Sequence, residues 1–164
     1  MEYLAKLHPL LVHFPIAIFS AYIFFELLST FWKNENLSVF INILLLLGVL
    51  GGLAAVLTGN QAQEALKPFI EKHLISNELV EEHEQFANIT LWYFFAVLVA
   101  RFYFTTKKLF TKKIKIIFLI LALIGSYFIY ETGEHGGKLV YKYGAGTELM
   151  NQKIEGVKSI VPHK

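Results

Sequence analysis

Apolar positions gather along this chain into four blocks, residues 9–32, 37–58, 86–104 and 114–130, with most charged residues in the segments between them. The blocks make up about half the chain, and the only acidic or basic side chains inside them are His13, Glu26, Arg101 and Lys115. A hydrocarbon core of about 30 Å is crossed by about 20 apolar residues at 1.5 Å each. The first three blocks reach that length. The fourth is shorter, and is completed by Lys115, which can snorkel, and by Tyr127 and Tyr130, which suit an interface. The pattern predicts an all-α fold: a four-helix transmembrane bundle running up-down-up-down. Connection 33–36 reads as a tight turn and 105–113 as a short basic loop. Connection 59–85 predicts an extracytoplasmic helical loop, with a short helix broken near Pro68 and a helical lead-in over 78–85 capped by Ser76 or Asn77. Beyond the fourth block, Gly133, Gly136, Gly137, Gly144 and Gly146 predict loop backbone. Leu149, Met150, Ile154, Val157 and Val161 then recur near helical spacing, which divides the chain into a membrane domain, 1–147, and an amphipathic C-terminal tail, 148–164.

Composition narrows the function classes. The 164 residues are 55% hydrophobic and 17% charged, against about 25% charged in an ordinary soluble domain. These numbers exclude disorder and disfavour an ordinary soluble domain. Cysteine is absent, which removes disulfides, covalent c-type haem, thiolate-bound iron–sulfur clusters and thiolate zinc sites, and leaves histidine as the main metal ligand. The first block is too long for a signal-peptide core and "LLSTFWKNENL" after it lacks a small-residue cleavage pattern, so the first helix is expected to stay in the membrane. Lys33, Arg101, Lys107, Lys108, Lys112, Lys113 and Lys115 lie on the side of the first and third connections, against Glu35 alone. The positive-inside rule then puts that side in the cytoplasm and both termini outside. The juxtamembrane lysines suit anionic lipid rather than nucleic acid.

With that topology the histidines converge. His8 and His13 open the first span, His83 opens the third and His135 follows the fourth, so all four belong to the extracytoplasmic end, as do His73 and His163 in polar segments. Imidazole is the commonest metal ligand and an axial ligand of haem, and bundles build such sites from facing helices. His13 and His83, on different helices, are the expected axial pair, with His8 and His135 supporting them or holding a second site. Small residues in the second span, among them Gly52 and Gly59 at spacings of four with Gly48 and Ala55, either give a flat macrocycle room or allow close helix packing. Glu26, Asn42 and Arg101, in the other half of the membrane, read as a mutually neutralising pair with an assisting amide, a proton path being the alternative. Neither a phosphate loop, a Ser/His/Asp set nor HExxH is legible, so an electron-transfer or accessory subunit is expected over an autonomous enzyme.

The motifs "HPLLVHFPIA" at 8–17, "LTG" at 57–59, His83 at the third span and "GGKLVYKYGAG" at 136–146 resemble those of the bacterial membrane proteins grouped as domain-of-unknown-function family 2231. The resemblance covers roughly residues 5–147. His8, His13, His83, Gly136, Gly137, Tyr141 and Gly144 match its pattern, His135 matches a variant of it, and Tyr143 stands where many relatives carry histidine. The resemblance implies a four-span bundle in a bacterial inner membrane. Relatives fused to c-type cytochrome or Rieske modules imply a respiratory-chain partner. Three readings follow: a haem b electron-transfer protein with cofactor contacts from His8, His13, His83, His135, Gly52, Gly59, Gly136 and Gly137; a site for bare copper, iron or zinc; or a cofactor-free structural subunit.

Overall fold

The computed structural model of the protein describes residues 2–32 and 35–147. The turn residues 33 and 34 and the expected amphipathic tail, 148–164, lie outside the described residues. Within them the chain is all helix and turn: α1 (Glu2–Leu11), α2 (His13–Phe31), α3 (Glu35–Glu71), α4 (Asn77–Thr106) and α5 (Lys112–Tyr143). Four stretches, Leu7–Phe31, Asn36–Glu71, Asn77–Thr106 and Lys112–Tyr143, are long and apolar enough to cross a membrane. The first runs from α1 into α2 through Val12, whose backbone stays helical, with φ −64° and ψ −27°. Pro15 loosens the helix here, because proline has no N–H for the Leu11 carbonyl.

Sequential helices pack side by side, and α2 closes the ring against α5, giving the up-down-up-down bundle. One end carries the turn between α2 and α3 and the basic loop between α4 and α5. There the Lys115 ammonium donates to the Ser29 and Trp32 carbonyls, closing the C-terminal end of α2. The other end carries the histidines. α3 has 37 residues, roughly 55 Å at 1.5 Å each, far beyond a hydrocarbon core. The excess lies at the histidine end, where the helices run on past the apolar blocks.

The short helix expected after residue 59 is therefore a continuation of α3, and the loop expected after the fourth block is helix as well. Residues 59–71 extend α3 without a break, and Pro68, in the last turn before Glu71, removes one hydrogen bond where the helix is about to end anyway. Residues 131–143 extend α5 through Gly133, Gly136 and Gly137. The reason is a second, small core: Leu139 packs with Ile75 and Val80, and Tyr143, Phe69 and Ile70 cover them. Helical spacing of Leu139 and Tyr143 puts both on that face, and the packing outweighs the cost of about 1 kcal/mol for each helical glycine. The helix stops at Gly144, whose φ of 73° is left-handed. Its N–H reaches the Val140 carbonyl and the next N–H reaches Leu139, so the last carbonyls are satisfied. Ser76 caps α4, its hydroxyl accepting from the Leu79 N–H.

The main core fills the middle of the bundle. Phe19 and Phe94 stack with ring centres 3.9 Å apart. Gly48 lies against Phe19 and Gly125 against Phe94, each so close that a Cβ would fall 2.5 Å from the ring. Leu44, Leu45, Val97, Phe118 and Ala122 complete it. Lipid tails are as apolar as leucine, so these helices are held by close contact and interhelical hydrogen bonds rather than by escape from water.

Candidate functional site

At the histidine end, α1 and α3 meet α4 and α5 at the level where the apolar block of α3 gives way to Gly59. His8, on α1, reaches across to α3: its Nδ1–H donates to the Ala55 carbonyl at 3.1 Å, with the Thr58 hydroxyl at 3.3 Å. His83, on α4, reaches across to α5 and donates from Nδ1 to the Thr132 carbonyl at 3.1 Å. A backbone carbonyl only accepts, so in each ring the proton sits on Nδ1 and Nε2 keeps its lone pair. The two ring planes lie at 73° to each other, with their centres 6.3 Å apart.

Two glycines make room for them. A Cβ on Gly59 would lie 3.1 Å from His8 Cε1, and one on Gly136 would lie 2.9 Å from His83 Cε1. Thr132 is itself fixed: its hydroxyl donates to the Phe128 carbonyl and pairs at 2.9 Å with the hydroxyl of Thr90. The carbonyl that orients His83 thus sits on a turn tied to α4 from both sides.

His135 is near but differently occupied. Its Nδ1–H donates to the Glu131 carbonyl at 2.7 Å, its Nε2 lies 3.4 Å from Glu82 Oε2, and its ring stacks on Phe86 at 5.1 Å. Both nitrogens are engaged, and the ring serves to join α5 to α4. His13 is not brought to the pair. It is exposed, and its Nδ1–H turns back to the Pro9 carbonyl at 2.7 Å. Five residues separate it from His8, which is about 140° around a helix. Gly52 lies two turns from Gly59, under Leu91 and Phe19 in the apolar core, and Gly137 meets only Tyr141 of its own helix. The rest of the second-span glycine face is filled by Phe14 on Gly51 and Phe19 on Gly48, which is close packing. His73 stands exposed in the turn between α3 and α4 with φ of 56°.

The structure thus assembles His8, His83, Gly59 and Gly136, with Thr132, Ala55 and Thr58 as orienting partners that the sequence gives no sign of. Among the described residues no group of three or more His, Asp or Glu is placed to hold a metal ion. The sequence from residue 5 to residue 149 matches the family described as "Predicted membrane protein (DUF2231)", and the chain belongs to that family. No curated protein and no solved structure matches the chain.

Proposed function

We propose that this member of the DUF2231 family is a haem b electron-transfer protein or subunit, with His8 and His83 as the axial pair. The observation that carries the reading is the pairing itself: two imidazoles from facing helices, each anchored through Nδ1 to a backbone carbonyl, each with Nε2 unspent among the described residues. Ligating histidines characteristically donate their other nitrogen in this way, which fixes the ring and raises its basicity. The ring centres lie 6.3 Å apart, so His8 and His83 are the residues that would hold the iron. The donor count favours haem over a bare copper, iron or zinc ion. A bare ion takes three or four protein donors, whereas a porphyrin supplies four nitrogens and asks the protein for two.

The bound haem supplies one-electron chemistry. The protein holds its ligands in one rotamer through Ala55 and Thr132, keeps them close through Gly59 and Gly136, and shields them from the opposite end with the Phe19–Phe94 stack. The basic loops mark the cytoplasmic face of a bacterial inner membrane and contact anionic lipid, so the pair works at the extracytoplasmic level, within reach of a c-type cytochrome, a Rieske protein or another respiratory-chain partner. A second reading has one observation in its favour: His8 and His83 each join two helices, which a cofactor-free structural subunit would also need.

The visible spectrum separates the two. Purified in mild detergent and supplied with haem, the protein is expected to show a Soret band that shifts on reduction. His8→Ala and His83→Ala lose it, while His13→Ala keeps it. No Soret band, or one indifferent to His8→Ala and His83→Ala, removes the haem reading; a loss of thermal stability without colour in those variants leaves the structural one.

A further inference from the structure

The other half of the bundle holds a polar cluster that the imidazole pair does not use. Glu26 and Arg101 are both 0% exposed. Arg101 Nε donates to Glu26 Oε2 at 2.7 Å, and Nη1 donates to the Ser38 carbonyl at 3.0 Å and to Asn42 Oδ1 at 2.7 Å. Phe110 covers the guanidinium, its ring centre 4.9 Å from Cζ. Among the described residues Arg101 Nη2 nevertheless has no partner, and neither has the buried Tyr22 hydroxyl. Buried groups of this kind almost always find one, and a donor left without an acceptor costs about 1–3 kcal/mol, more when charged.

The unspent groups belong to one buried cluster. The guanidinium fork is planar and sets Nη2 beside Nε, on the side that faces Glu26. Tyr22 precedes Glu26 by one turn of α2, on the same face. Among the described residues Glu26 Oε1 receives only a long contact, 3.4 Å, from the Ser29 hydroxyl. A charged donor, a carboxylate acceptor and a hydroxyl that can do either therefore have capacity left on neighbouring side chains. An anion there would meet the Glu26 carboxylate and a cation would meet the guanidinium. Lipid headgroups are kept out by complete burial. A small neutral molecule that both donates and accepts satisfies all three.

We infer that this is an internal water site, in which one water accepts from Arg101 Nη2, donates to Glu26 Oε1 and bonds the Tyr22 hydroxyl. Three partners are what a buried water typically has. The site lies beyond the Phe19–Phe94 stack from the histidines and does not depend on what they bind.

Tyr22→Phe tests it, because the variant keeps the ring that packs edge-on against Phe94 and removes only the hydroxyl. If that hydroxyl holds a water, the thermal midpoint in detergent falls by about 2–4 °C. A midpoint equal to or above that of the unaltered protein overturns the site, since deleting an unpaired buried hydroxyl relieves the fold. Structure determination in lipid at a resolution that shows ordered water gives the second reading: a peak bonded to both Arg101 Nη2 and Tyr22 Oη is expected, and direct protein acceptors on both atoms would refute it.

Discussion

Gly59 on α3 and Gly136 on α5 are packed against imidazoles, whereas Gly133, one turn from Gly136, is not. At Gly136 a methyl group would fall 2.9 Å from His83 Cε1 and at Gly59 3.1 Å from His8 Cε1, whereas at Gly133 it would meet nothing within 4 Å. His83 cannot simply swing aside, because its Nδ1–H is held by the Thr132 carbonyl. Gly136→Ala is therefore expected to weaken haem binding by about tenfold or more, the scale on which a disturbed orienting partner acts. Gly133→Ala leaves haem binding unchanged and stabilises the fold by about 0.5–1 kcal/mol, because a helical glycine carries a backbone-entropy cost that alanine does not. Haem titration and thermal unfolding of both variants measure the contrast. Loss of binding in Gly133→Ala as well would mean that the effect runs through the helix and not through the imidazole.

Helices one scale up show where sequence patterning works and where it stops. All four spans, the Ser76 cap and the Glu26–Arg101–Asn42 cluster follow from hydrophobic length, capping chemistry and the cost of burying charge, and the structure contains them. The continuation of α5 to Tyr143 does not follow, because glycine reads as a helix breaker until Ile75 and Val80, more than fifty residues away in sequence, supply a face for Leu139 to cover. The choice of His8 over His13 was half legible. Their separation around a helix says that they cannot share a partner, but which of the two faces α4 depends on how α1 is turned and on its depth. The orienting carbonyls of Ala55 and Thr132 were not legible at all, since any residue supplies a carbonyl. In the "GGKLVYKYGAG" motif only Gly144 and Gly146 have positive φ. Gly144→Ala is accordingly expected to destabilise the protein by about 1–2 kcal/mol, the strain of a left-handed alanine, with little effect on the imidazole pair; thermal unfolding together with the haem spectrum checks both halves of that statement.

The molecule as a whole has two unlike ends joined by a hydrocarbon middle. Its orientation can be read directly because the chain has no cysteine, so single cysteines report without background. Lys112→Cys, exposed at the basic end, is expected to resist a membrane-impermeant thiol reagent in intact cells, and Glu78→Cys, exposed at the histidine end, to react with it. The reverse pattern would put the imidazoles on the cytoplasmic side. Between the ends, Phe19 and Phe94 lie face to face against Gly48 and Gly125, leaving no space for even a methyl group. Solvent therefore has no passage through this layer. On the haem reading proposed above, protons taken up or released at the imidazoles would be exchanged with the aqueous phase at their own end of the bundle.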